Sequence, residues 1–452
     1  ANVTTSTNIN ISGGTIKGNV YGGGYAYSEN LTEAQQQLDS GALYGNSNVI
    51  VNGSPTINGD IYGSGKGYNY STVPNNSKMI GNTTVTISGT PTIGSGKIIY
   101  GAGNGLALST TAGLTGNTTI NMNATINKSV YGGGNSANVI GNTNVNLSAS
   151  NNLAIHGGGN GTGKVSLKSS VNINNGTYGT IYGGGQNNVR ETSIIAKGGQ
   201  ASYIYGGGIN ANSVTTKSNV NIKGTKIIGM VCGAGGANST TTTTNVTLTS
   251  SSATIPTVYG GGQTITSQVT NANINCNGAT ITNIYGGSAY GGNVEKTNVK
   301  VNSGTVSNIY GGNYNSGEIT QSANITVNGG TISSAIYGGG NGSNSKVGSA
   351  TANATTNINI IKGTISGNIY GGGNNSVVYG DTNVNIGKDA VGDNSATIVS
   401  ISINGNVYGG AKATTASHIG VTGDSNVNID GNGYETIINQ SIFGNGDNSN
   451  IS

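Results

Sequence analysis

The chain has 452 residues, 82 of them glycine, with only 7% charged and 5% aromatic residues and a formal net charge of +4. Glycine keeps no three-residue period and proline occurs only 4 times, which excludes collagen; the small net charge beside abundant Ile, Val and Thr is unlike a disordered chain. Two cysteines are too few for a disulfide scaffold, and no apolar run approaches the roughly 18 residues of a transmembrane helix, so a β-rich chain with a neutral polar surface of Asn, Thr and Ser remains.

The first residue is Ala1, and the simplest expectation is a mature secreted chain whose leader has been removed, with excision from a longer protein as the alternative. Thr7-Asn8-Ile9-Asn10-Ile11 is the first strand, with Ile9 and Ile11 on one face and Asn8 and Asn10 on the other. Val20-Tyr21 and the turn Gly22-Gly23-Gly24 follow. A loop insertion is expected near 25–45, and within it Glu29 and Glu33 precede Ala34, Gln35, Gln36, Gln37 and Leu38, which predicts one short helix over 29–39. A second insertion is expected near 64–80, marked by Tyr68, Tyr70 and Pro74.

Beyond this point the pattern repeats to the end of the chain. Ile or Val, then an aromatic position, then glycine recurs at Tyr21, Tyr62, Tyr100, Tyr131, His156, Tyr182, Tyr205, Cys232, Tyr259, Tyr285, Tyr310, Tyr337, Tyr370, Tyr408 and Phe443, fifteen copies in all. Between them lies a second motif, as in Thr143-Asn144-Val145-Asn146-Leu147, Ser218-Asn219-Val220-Asn221-Ile222 and Thr297-Asn298-Val299-Lys300-Val301, often followed by a glycine turn such as Gly329-Gly330-Thr331-Ile332. One such unit has an apolar face that it cannot bury alone, and stacking neighbours buries it. A repeat near 25 residues with short strands is one coil of a parallel β-solenoid. The expected fold is therefore all-β: a single parallel β-solenoid over 1–452, of about 14–15 rungs, with a rung spacing of about 4.8 Å and hence an axis of roughly 70 Å. Ile and Val would form internal ladders, Asn would form amide ladders, and Gly would supply turns with positive φ.

The aromatic column has two readings. In one it is a structural ladder of stacked, half-buried rings; in the other it is a platform for carbohydrate. The substitutions His156, Cys232 and Phe443 leave the flanking pattern intact, which favours a packing ladder. Cys232 and Cys276 occupy different positions of the repeat and are expected to be free thiols.

Charge is distributed unevenly, with a net of −3 over 1–60, +11 over 61–360 and −4 over 361–452. The basic middle is thin and lacks Arg clusters, so no nucleic-acid partner is expected. Gly158-Gly159-Asn160-Gly161-Thr162-Gly163-Lys164-Val165 imitates a phosphate loop, yet Val165 stands where a magnesium-holding Ser or Thr belongs. Asp381, Asp424 and Asp447 each follow Gly and begin a polar strand. They are the candidate metal residues, calcium being the candidate ion, although a solvated turn column is the favoured explanation. No other cofactor is expected.

The repeats Ile336-Tyr337-Gly338-Gly339-Gly340-Asn341 and Thr382-Asn383-Val384-Asn385-Ile386 resemble those of bacterial extracellular right-handed parallel β-helix proteins. That group includes autotransporter passengers, filamentous adhesins and pectate-lyase-like enzymes. The resemblance covers nearly the whole chain and implies the architecture and a secreted, extracellular or cell-surface location. Its lyase branch implies a calcium-binding aspartate cluster beside a catalytic basic residue, and the one arginine, Arg190, is many rungs from Asp381–Asp447. An enzyme is therefore not expected.

Neither end carries an evident cap, and both expose strand edges, which natural proteins normally protect. Asn8, Ile9, Asn10 and Ile11 at one end, and Asn448, Asn450 and Ile451 at the other, are accordingly the candidate polymer interface. The leading expectation is a structural subunit that stacks head to tail into an extracellular or cell-surface filament or matrix fibre. A surface adhesin for glycans or host surfaces is the alternative, and a polysaccharide-active enzyme or an ice-binding protein ranks below both.

Overall fold

The computed structural model describes residues 3–26, 41–69, 74–75, 78–105, 113–211, 213–251, 253–387, 399–414, 419–431, 434–448 and 450–451. The helix expected over 29–39 lies outside the described residues. All regular structure within them is strand, and the chain forms two compact units, Ala1–Ser218 and Asn219–Ser452.

In the first unit, Thr7–Ile11 pairs in parallel with Ser47–Val51, which pairs with Thr83–Ile87, then Thr118–Met122, then Thr143–Leu147. The register sets each residue on its own counterpart, so that Ile9, Val49, Val85, Ile120 and Val145 form one column. Alternation along each strand sends this column inward, and from Val49 to Val145 it is fully buried. A second inward column, Leu43, Met79, Leu114, Val139, Val165 and Val189, packs on another side of the coil. A third, short side is made by Thr15–Ile16, Thr56–Ile57 and Thr92–Ile93, also parallel. The fourth is the Ile-Tyr edge described below. In the insertion near 64–80, Tyr68–Asn69 and Pro74–Asn75 form a small antiparallel pair.

The second unit repeats this scheme with longer strands. Gln268–Tyr285 and Asn293–Tyr310 each run unbroken for 18 residues through all four sides of the coil. The sequence predicts a turn in each, at Gly278 and Gly304. Both glycines do adopt positive φ, 126° and 99°, but the pairing carries on through the bend with two register shifts between Cys276 and Thr280. A glycine-centred bulge thus turns the corner without ending the strand. Val269, Val294, Ile319, Val347, Val378 and Val421 form an inward column of this unit.

Glycine performs two tasks, and the sequence merges them. The turns after the Asn-rich strands need backbone freedom: Gly53 has φ 64° and Gly176 has φ 97°. The Gly-Gly-Gly clusters that follow Tyr need space instead. None of the first glycines of those clusters has positive φ, yet a Cβ on Gly101 would stand 2.1 Å from the Gly132 oxygen of the next coil. The expectation that positive φ explains the clusters is therefore corrected: close backbone approach does.

Candidate functional site: the tyrosine ladder and its flanking columns

Each coil closes on a strand that ends in Ile or Val followed by the aromatic position. The aliphatic residue points into the core: Ile61, Ile99, Val130 and Ile155 are fully buried. The next side chain must point the other way, and parallel register then places every ring on the one before it. In the first unit the centroids of Tyr21, Tyr62, Tyr100, Tyr131, His156, Tyr182 and Tyr205 are separated by 4.8, 4.8, 5.7, 4.3, 4.8 and 5.0 Å in turn. In the second unit Cys232 pairs with Tyr259. From there Tyr259, Tyr285, Tyr310, Tyr337, Tyr370, Tyr408 and Phe443 stack at 5.2, 4.6, 4.8, 5.0, 4.8 and 4.9 Å.

The ring faces therefore contact one another. Stacking buries many of the rings more deeply than the half-buried ladder expected, Tyr62 being 1% and Tyr100 2% exposed, while Tyr21, Tyr182 and Tyr408 are half-buried as expected and Phe443 is exposed. A sugar ring that stacks on an aromatic needs an open face, and inside the ladder there is none. Tyr314 adds an edge-on ring, 5.1 Å from Tyr285.

The hydroxyl ends meet a flanking column, formed by the residue after each glycine cluster. Lys66, Asn104, Asn135 and Asn160 bridge one another in parallel in the first unit, and Asn341, Asn374, Lys412 and Asp447 do so in the second. Asn160 donates its amide hydrogen to the Tyr100 hydroxyl oxygen at 3.0 Å, two coils away, and Gln186 does the same for Tyr131 at 3.4 Å. From the opposite side Asn368 donates to Tyr370 at 2.9 Å, and Asn19 to Tyr21 at 3.0 Å. Burial pushes the Tyr100, Tyr131 and Tyr370 phenols above their ordinary range. For Tyr62 the nearby Asp60 charge adds to the effect, and Tyr370 is pushed up to about 12, chiefly by burial.

His156 is the neutral outlier of the ladder. Burial lowers it to about 3, and its Nδ1 has no hydrogen-bond partner among the described residues. Cys232 and Cys276 are both buried and unbridged, as the sequence predicts. Burial raises both thiols.

Two of the three candidate metal residues are brought together and the third is not. Asp381 and Asp424 occupy adjacent coils of one column, where the Asp424 amide donates to Asp381 Oδ1 at 2.9 Å. That bond matches Asn82 on Asn46 and Asn117 on Asn82, both 2.9 Å. These carboxylates thus occupy the place of a structural amide. Asp447 lies in the flanking column of the tyrosines, beside Lys412. Among the described residues no cluster of three His, Cys, Asp or Glu could hold a metal ion.

The candidate interface residues fall on strands. Asn8 and Asn10 are exposed and Ile11 is buried on the first coil. Asn450–Ile451 pairs with Ile419–Val421. Asn448 adopts φ 52° in the turn before it, which gives it a local backbone role. Sequence reasoning missed a bond that recurs from the first hydroxyl of an Asn-rich strand to the first glycine after the tyrosine, as in Thr297 to the Gly311 oxygen at 2.6 Å. The invariably hydroxyl or small residue at that position was the available signal.

No family model, curated protein or solved structure matches the chain. No helix among the described residues is long and apolar enough to cross a membrane.

Proposed function

We propose that this chain is a non-enzymatic structural protein, a secreted β-solenoid subunit that stacks head to tail into an extracellular or cell-surface filament or matrix fibre. The observation that carries the reading is the state of the last described coil. Ile429 and Ile442 are 44% and 46% exposed, although they pair with Ile386 and Val407, which are fully buried. A coil of the same sequence type laid on this surface would bury Ile429, Ile442 and Phe443 in the way the coils between the first and the last are buried. The first coil has that sequence type: Thr7–Ile11 matches Ser425–Ile429, and Val20–Tyr21 matches Ile442–Phe443. The adhesin alternative loses support from the ladder, whose ring faces are occupied by one another. The scarcity of ionisable residues also favours a structural role over an acid–base enzyme.

Negative-stain electron micrographs of the purified chain test the proposal. Unbranched fibres that lengthen with concentration are expected. A monodisperse population of single-chain particles at all concentrations overturns it. A glycan array tests the adhesin reading separately.

A further inference from the structure

The Asn ladders carry a direction. Asn146 donates its side-chain N–H to Asn121 Oδ1 at 2.8 Å and Asn172 to Asn146 at 2.9 Å. In the second unit Asn298 donates to Asn273, Asn324 to Asn298 and Asn357 to Asn324, at 3.0, 3.2 and 2.9 Å. The series closes with Asn426 to Asn383 at 3.2 Å and Asn428 to Asn385 at 2.9 Å. The later coil is the donor in each of these bonds. At the last coil Asn426, Asn428 and Asn439 have therefore turned their N–H groups backward, toward Asn383, Asn385 and Asn404. Their Oδ1 atoms face forward and accept nothing among the described residues. Reversing every amide would exchange the roles of the two ends and leave the stack just as polar.

Charge has the same direction. The described first coil, residues 3–26, holds Lys17 and no acidic residue, whereas the last coil holds Asp424, Asp430, Glu435 and Asp447 and no basic residue between 419 and 448. The net negative charge of 1–60 comes from later residues, Glu29, Glu33, Asp39 and Asp60. Among the described residues the two end coils thus carry opposite net charge.

We infer that the joint of the fibre is one-way and in register, with Thr7–Ile11 of one copy laid on Ser425–Ile429 of the next as a further parallel rung. This rests on the stacking reading above. In that joint Asn8 and Asn10 donate to Asn426 and Asn428, and the Ser6 amide meets Asp424 as the Asp424 amide meets Asp381. Lys17 comes over Asn439, in the column defined by Asn404 and Asn439. A last coil laid on another last coil fails: the contact is isologous with antiparallel strands, which brings the Asp424 end of Ser425–Ile429 to the Asp430 end of its copy and sets oxygen against oxygen.

The register also sets a competition. Val3 bridges Leu43 at one corner of the coil, and Asn450–Ile451 occupies that corner above Ile419–Val421. Val3 of an arriving copy and Asn450–Ile451 of the receiving copy need one place. Asn450–Ile451 is thus a removable cover on the receiving end, and one of the two segments must yield as the joint forms.

Cysteine cross-linking tests the inference. Neighbouring in-register strands hold Cα atoms within disulfide reach, and the native Cys232 and Cys276 are fully buried. A chain carrying both Asn10→Cys and Asn428→Cys should form a ladder of covalent multimers on mild oxidation, whereas either single variant should stay uncross-linked. Deletion of 449–452 should lower the concentration at which fibres appear several-fold. Cross-linked dimers of a single variant would overturn the polarity. Fibres visible by microscopy with no cross-link in the double variant would overturn the register and leave the stacking reading standing. Absence of fibres from the unaltered chain overturns both.

Discussion

Thr118 donates its hydroxyl hydrogen to the carbonyl oxygen of Gly132 at 2.5 Å. The bond ties the start of the Asn-rich strand to the turn that closes the same coil. It recurs from Thr83 to Gly101 and from Thr143 to Gly157, both at 2.5 Å, and from Thr356 to Gly371 at 2.6 Å. Glycine is needed there because the neighbouring coil's carbonyl lies against it. A Cβ on Gly101 would meet the Gly132 oxygen at 2.1 Å and Thr118 Cβ at 2.9 Å, whereas one on Gly18 would meet nothing within 4 Å. Gly101→Ala should therefore lower stability by about 1–3 kcal/mol as an overpacked site. Gly18→Ala should stay within about 0.5 kcal/mol. Thermal or denaturant unfolding of the two variants checks this, and equal effects would show that close backbone approach does not govern the clusters.

The ladder's ring stacking and its hydroxyl bonds can be separated at Tyr100. The ring lies between Tyr62 and Tyr131, and its hydroxyl oxygen accepts from Asn160. Tyr100→Phe keeps the stack and should cost about 1 kcal/mol. Tyr100→Ala opens a gap between two rings and should cost about 3–5 kcal/mol. Denaturant midpoints at constant m-value give the comparison, and a Phe variant as damaged as the Ala variant would place the energy in the hydroxyl row.

Alkali should unfold the protein through the same column. An unfolded tyrosine loses its proton near 10, while the buried Tyr370 holds its own to about 12 and Tyr310 and Tyr131 are also raised by burial. Folded-state values above the unfolded one mean that the ladder's contribution is complete below pH 10. It is lost as pH rises from there through the folded values. A tyrosinate absorbance titration should lag behind free tyrosine and then rise together with loss of the β-sheet signal. A simple titration near 10 in intact protein would show solvent-exposed rings.

His156 makes the acid counterpart. Its folded value of about 3 lies below the ordinary histidine value, so its neutral stacking contributes above about pH 6.5 and is lost as pH falls toward 3. His156→Tyr restores the residue of the column and removes a buried nitrogen that lacks a partner. The variant should be more stable by roughly 1 kcal/mol at neutral pH, with a larger margin at pH 4. Unfolding curves at pH 4 and 7 measure both, and a margin independent of pH would remove the titration from the account.

Much of this was legible because a stacked repeat makes each residue's environment a copy of itself. The alternation in Thr143–Leu147 places Val145 inward, and the spacing of the tyrosines alone puts them in one column. Three features were not legible. A glycine letter carries no mark of whether Gly101 needs space or Gly53 needs positive φ. The depth of ring burial depends on the flanking column, where Asn160 reaches back two coils to Tyr100, a separation of 60 residues. The direction of the amides belongs to the ladder and to no single Asn.

The low charge of the chain follows from those ladders, and one substitution can expose the reason. Asn298 donates to Asn273 Oδ1 at 3.0 Å and accepts from Asn324 at 3.2 Å. Asn298→Asp keeps the acceptor and turns a carboxylate toward the Asn273 carbonyl oxygen. The carboxyl is then expected to titrate above the ordinary aspartate value of about 3.9 in the folded state. Its cost should be absent below pH 4, where the protonated acid can donate, and appear as pH rises through the folded value. A second change, Asn324→Asp, places like charges one rung apart, about 4.8 Å, and its cost should exceed the sum of the single changes. Unfolding free energies at pH 3.5 and 7 for the two single variants and the pair supply the measurement, and additive, pH-independent losses would show that the outward ladder does not constrain charge.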